Sequence, residues 1–411
     1  MATAKDDVEV PLEPPKPPFF TRLRWHIRDG LEDGLEWYNE LNLPRVMYHL
    51  LSLVYFSFIM YLAYSVLPMS GNWTHTRQQF DKIPNVSQDL SRRVYFNSFR
   101  GSSECNIRAI DLYQPPSQDQ LLHGPPTVYC PRRKELLEAM SGGGRIGFDT
   151  PYFPRDCHYR WYSVEEICMI LERFDAIVFV GDYNLQAIYN GLNILLRRDL
   201  THGALRTWDM DKDKLRQCSC DNQFTSQSCS GHFITSSNDL PSHPSGRADG
   251  QPYLCSSSRT AHAFLEISTS PAPSSVIEKF KQLVPRVPRS NYHPIAIVHG
   301  LSPNTATSET AIASLEEFLA LADSSHRKTP MLWIGPTASG HTEIRGRKGN
   351  QEIWDFDRRL AGVAGDNDVE VLRMWNMTVQ ANSWDGMRFG EKVAVTQAMM
   401  VLNWLARLPS S

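Results

Sequence analysis

Three short apolar runs in this chain end in glycine and then in residues able to do chemistry. DAIVFVGD leads into GDYN (181–184), PIAIVHG into HGLSPN (299–304), and PMLWIGP into GPTASGH (335–341). Continuous β-branched and aromatic runs of this kind suit strands buried on both faces of a parallel sheet. In an open parallel sheet, ligands collect at the carboxyl ends of the strands. The three loops are therefore expected to converge on one crevice, with Gly181, Asp182, Tyr183, His299, Gly300, Asn304 and His341 as its candidate groups.

The text around the runs supplies the elements that would hold such a crevice. RKELLEAM (133–140) reads as a helix closed by the glycines of SGGGR, and SVEEICMILERF (163–174) opens with a Ser-x-x-Glu capping box. LQAIYNGLNILLR (185–197), ETAIASLEEFLALAD (309–323) and EKVAVTQAMMVLNWLARL (391–408) carry helical periodicity. Strand, turn and helix repeated three times predict an α/β domain, a parallel sheet flanked by helices, over residues 94–411. The Ser-, His-, Pro- and Gly-rich stretch 231–260 reads as an exposed insertion in it.

Several of these motifs resemble the SGNH (GDSL-type) hydrolase fold, in the branch of PC-esterase domains, plant trichome-birefringence-like wall acetyltransferases and fungal membrane relatives. The resemblance spans roughly 94–408 and rests on DCHYRWYSVEEIC, FVGD with its helix, CSCDNQF, GRKGNQ, WNMTVQ and WDGMRFGEKVAVTQAMMVLNWL. It implies O-acyl transfer or hydrolysis on glycans. Relatives read Gly-Asp-Ser in the first block, with serine as nucleophile, and Asp-x-x-His in the last, with histidine as base and aspartate as its orienter. Carried onto this chain, the serine position is Tyr183, the aspartate is Asp385 and the histidine position is Arg388. Gly300 and Asn304 stand as poorly matched candidates for the oxyanion donors.

Both proton-transfer groups are thus replaced. A guanidinium stays protonated at physiological pH and offers no lone pair, so Arg388 has no means of acting as a general base. The tyrosine phenol ordinarily ionises near pH 10, so little phenolate exists at neutral pH unless a neighbour such as Arg388 lowers that value. Two roles are open to Arg388: pairing with Asp182 or Asp385, or gripping an anionic or glycan ligand beside Tyr183 and Trp384. His341 and His299 are the candidate substitute bases, and each also reads as an ordinary solvated or structural histidine.

Residues Val46 to Leu67, VMYHLLSLVYFSFIMYLAYSVL, contain no Lys, Arg, Asp or Glu. As a helix they would reach about 33 Å, against a hydrocarbon core of about 30 Å. This segment is read as a retained transmembrane anchor at 46–67, following a partly disordered tail at 1–45 and leading into a polar stem at 68–93. The tail opens with PLEPPKPPFF, and residues 21–44 suggest a short amphipathic helix. The sequons at Asn72, Asn85 and Asn376 all follow the anchor. So do all eight cysteines, Cys105, Cys130, Cys157, Cys168, Cys218, Cys220, Cys229 and Cys255. Both features favour a cytosolic N-terminus and a C-terminal domain lumenal to a secretory-pathway membrane, with the Golgi expected.

A net charge of -3 with no basic run argues against nucleic acid as a partner. C-x-C-x8-C followed by His232 does not match zinc spacing, so disulfides are expected and neither metal nor cofactor is invoked. The reading is a catalytically impaired membrane protein that binds glycan or scaffolds an active paralogue. Its alternative is an active O-acetyltransferase or carbohydrate esterase, with unconventional residues, acting on cell-wall or capsule polysaccharide.

Overall fold

The computed structural model describes residues 45–66, 95–117, 121–122, 128–240, 261–286, 293–340 and 348–409. It divides into two compact units, Met1–Pro84 and Asn85–Ser411. The tail before residue 45, the stem at 68–93, most of the 231–260 stretch, Asn72, Asn85, Cys255 and His341 lie outside the described residues.

In the first unit, helix α1 runs Arg45–Val66. Its side chains are described over 51–61 and all are exposed. Among the described residues, no helix is long and apolar enough to cross a membrane.

The second unit is an α/β domain. Helix α2 (Arg133–Gly142) precedes a two-stranded antiparallel ribbon, β1 (Gly144–Arg145) with β2 (Tyr152–Phe153). Helix α3 (Val164–Leu171) starts at the predicted capping box: Ser163 Oγ accepts from Glu166 N, and Glu166 Oε2 accepts from Ser163 N at 2.8 Å. Then follow β3 (Ala176–Gly181), α4 (Tyr183–Arg197), β4 (His262–Glu266), α5 (Ser274–Leu283), β5 (Ile295–Gly300) and α6 (Ser308–Ser324). The chain closes with β6 (Met331–Ile334), α7 (Asn350–Asp366), β7 (Glu370–Leu372) and α8 (Glu391–Arg407).

Five strands form one parallel sheet in the order β4-β3-β5-β6-β7. The three apolar runs are its centre, β3, β5 and β6. Alternation along β3 divides the core into two layers. Ile177 and Phe179 join the cluster built on α3, α4 and α8, while Val178 and Val180 join the one built on α5, α6 and α7. Helices therefore cover both faces, which is why these strands are apolar almost throughout, His299 on β5 being the exception. The chain leaves β3 for β4 on one side and returns to β5 on the other. The order thus reverses at β3, so the end of β3 is where a crevice opens.

Disulfides tie the loops to this frame: Cys105 to Cys220, Cys130 to Cys157, and Cys218 to Cys229. Cys168 is disulfide-bonded as well, and among the described residues no cysteine is free. Such bonds belong to an oxidising secretory or extracellular environment. The first ten residues of the expected insertion depart from its exposed reading: Phe233, Ile234 and Ser237 are buried. Phe233 and Ile234 follow a short turn anchored by Cys229 and pack back onto the domain, where apolar side chains find cover.

Candidate functional site

The turn after β3 is shaped by two glycines on neighbouring strands. A Cβ on Gly181 would lie 2.1 Å from the Gly300 carbonyl oxygen, and one on Gly300 would lie 2.8 Å from that of Ile334. Only glycine lets the ends of β3, β5 and β6 approach this closely. Asp182 then caps α4, its Oδ1 accepting from Asn184 N at 3.0 Å. Its Oδ2 accepts from Ser302 N, in the loop after β5, at 2.8 Å. Burial pushes the Asp182 carboxyl up, opposed by these N–H donors. Asp182 thus clamps two strand-end loops and takes no part in an ion pair with Arg388.

Tyr183 is half-buried at the start of α4. Burial raises its phenol to about 12, with the Asp182 charge adding to the effect. The guanidinium does not lower it, contrary to the sequence expectation, because burial and the carboxylate beside it dominate. Asn304 Nδ2 points to the Tyr183 hydroxyl at 3.5 Å, the outer limit of a hydrogen bond.

Arg388 and Asp385 stand together in the loop before α8. Arg388 Nε donates to Asp385 Oδ2 at 3.0 Å, while Asp385 Oδ1 accepts from the backbone of Met387 and Arg388. Burial pushes the Asp385 carboxyl up, but these N–H groups and the guanidinium outweigh it and hold the carboxyl below the usual carboxylate range. Arg388 Nη1 also donates to the Thr225 carbonyl at 3.1 Å. The segment bearing Thr225 is braced from behind by Gln223, whose Nε2 donates to Glu391 Oε1 at 2.8 Å. Of the two predicted partners for Arg388, Asp385 is the one it holds.

These groups meet at a cavity of about 340 Å³. Tyr183, Asp385 and Arg388 line it, with Phe224, Phe233, Met387 and Phe389 as apolar wall and Asn190, Ser226 and Gln397 among its polar groups. The Gly-Asp turn and the Asp-x-x-Arg loop, about two hundred positions apart in sequence, therefore face one space. Among the described residues lining it there is no histidine.

Other sequence candidates fall elsewhere. His299 is fully buried on β5, with Nε2 3.1 Å from Ser314 Oγ and its ring stacked on Trp333 at 5.3 Å. Burial holds it neutral, down to about 3, and it does not line the cavity. It is a core residue under α6 rather than a substitute base. Trp384 is 70% exposed and also lies off the cavity lining, so it forms no wall opposite Tyr183. In the third sequon, Asn376 Nδ2 donates to the Ser141 carbonyl at 2.9 Å and Thr378 is buried, so the folded domain engages that amide internally.

The sequence reading missed Asn190, Phe224, Phe233 and Gln397. Asn190 and Gln397 carry a legible signal, each an amide within a helix whose buried residues are mainly apolar. Among the described residues, no group of three or more His, Cys, Asp or Glu side chains is arranged to hold a metal. The chain matches no protein-family model and no curated protein.

Proposed function

We propose that this is a type II membrane protein of the secretory pathway whose C-terminal domain follows the SGNH hydrolase plan with its acyl-transfer machinery replaced. It works by holding a glycan or a partner protein, with the Golgi as its expected station. One observation carries this reading: Arg388, at the histidine position, is closed onto Asp385 at 3.0 Å, in a cavity whose described lining contains no neutral imidazole. The phenol at the serine position is raised to about 12, so it is protonated at neutral pH and has no base to take its proton. Loss of triad members costs on the order of 10⁴ to 10⁶ in turnover. The apolar segment 46–67 and the downstream disulfides support the anchor and the lumenal orientation.

The test is hydrolysis of an aryl acetate and of an acetylated glycan by the full-length chain in detergent, beside the Tyr183→Ser/Arg388→His double variant. No turnover above background by the wild type, with activity appearing in the double variant, is the expected result. Wild-type turnover would instead establish an esterase or acetyltransferase with unconventional residues.

A further inference from the structure

The floor of the cavity, where α4 crosses α8, contains two amides without partners. Gly191 marks the crossing: a Cβ there would lie 2.3 Å from the Ala394 carbonyl oxygen, so the helices touch backbone to backbone. Beside this contact stand Asn190, 1% exposed, and Gln397, 2% exposed, and both line the cavity. Asn190 Oδ1 and Gln397 Nε2 are buried and have no hydrogen-bond partner. A buried amide left unpaired is destabilising, and a close helix crossing normally fills such positions with apolar side chains. Other polar groups nearby are satisfied: Asp385 has three donors, and Gln223 bonds Leu200, Glu391 and Ala204. Among the described residues lining the cavity, the deficit falls on these two.

We infer that Asn190 and Gln397 are the ligand-reading groups of this cavity, and that they take an uncharged group able to donate and accept at once, a hydroxyl or a secondary amide. Each amide offers one donor end and one acceptor end and carries no charge, so a group that both donates and accepts matches them, whereas a carboxylate would meet only the donors and an ammonium only the acceptors. Turning either amide over exchanges its two ends and leaves that complement of donors and acceptors unchanged. The one cation on the described lining, Arg388, is already neutralised by Asp385. The apolar wall of Phe224, Phe233 and Ala394 suits the carbon skeleton of such a ligand, and about 340 Å³ lies near the lower end of the range for small-molecule sites. This inference rests on the cavity being a ligand site, as proposed above, and adds what it selects.

The test uses the full-length chain in detergent and three probes, methyl N-acetylglucosaminide, methyl glucoside and glucuronate, followed by saturation-transfer NMR. Wild-type protein is compared with Asn190→Leu and Gln397→Met. Expected are binding of a neutral probe, no binding of glucuronate, at least a tenfold loss of affinity in each variant, and melting temperatures equal to or above wild type. Binding by the acetamido probe alone would assign a secondary amide, and binding by both neutral probes a hydroxyl. Variants that melt lower yet bind unchanged would make the amides structural and overturn the inference, as would glucuronate binding as well as the neutral probes, or no probe binding. None of these readouts involves ester turnover, so failure here is distinguishable from failure of the impaired-site reading.

Discussion

Arg388 Nε and Asp385 Oδ2 are 3.0 Å apart across a turn of three residues, and the same guanidinium reaches the Thr225 carbonyl at 3.1 Å. A side chain at the position expected of a proton acceptor thus works as a brace between the loop before α8 and the wall of the cavity.

Removing that brace has a readable cost. Arg388→Met keeps the length but loses a partly exposed ion pair and a charge-assisted bond, together about 1–2 kcal/mol. Because the folded Asp385 carboxyl lies below its unfolded value, the pair contributes above the unfolded pKa and is lost as pH falls through the folded one. Urea unfolding is expected to show the deficit at pH 7 and a smaller one toward pH 3.

Glu391 gives the opposite sign. It is fully buried, one oxygen unpartnered, and burial together with the Asp221 and Asp199 charges pushes its carboxyl well above the ordinary value. Its contribution is full below the unfolded pKa and is lost as pH rises through the folded one. Glu391→Gln keeps an oxygen for Gln223 and removes the titration. Thermal melts are expected to favour the variant at pH 8 and to converge with wild type near pH 4.

Two buried histidines make the domain acid-sensitive. Burial lowers His299 to about 3 and His262 to about 4, so both remain neutral in the fold while the unfolded chain protonates them below about 6.5. Each adds a slope of about 1.4 kcal/mol per pH unit between those limits, with stability falling as pH falls. His299→Phe, which retains an aromatic ring against Trp333, is expected to flatten the pH dependence of urea unfolding between pH 4.5 and 6.5 by about one proton. An unchanged slope would mean that His299 protonates in the folded state.

The disulfides differ in what they restrain. Cys105–Cys220 closes 115 residues and Cys218–Cys229 closes 11. On loop-closure entropy, replacing the first pair by alanine costs about 2 kcal/mol more than replacing the second. The short loop carries Phe224, Ser226 and Gln227 of the cavity wall, so its removal is expected to weaken ligand binding more than stability. Paired melts and probe titrations check both statements.

Much of this architecture was legible in the chain. DAIVFVGD, PIAIVHG and PMLWIGP announce β3, β5 and β6 because a strand covered on both faces is apolar almost throughout, and the single His299 does not mask the pattern. The edge strands were not legible: β4 begins with His262 and ends with exposed Glu266, and β7 is three residues opening on Glu370. Their identity comes from pairing with β3 and β6, which no local period records. The same limit applies to the site. Asp182, Tyr183, Asp385 and Arg388 were named from sequence, but the disposition of His299 and the open amides of Asn190 and Gln397 depend on which face of a strand or helix meets which neighbour.

The central claim, that the position 183 side chain accepts no acyl group, is tested most directly by intact-mass and peptide mass spectrometry of the full-length chain after exposure to an aryl acetate at neutral pH. The account predicts no acetyl group on any residue lining the cavity in the wild type, and acetylation at position 183 in Tyr183→Ser/Arg388→His. An acetyl ester on Tyr183 of the wild type would contradict it.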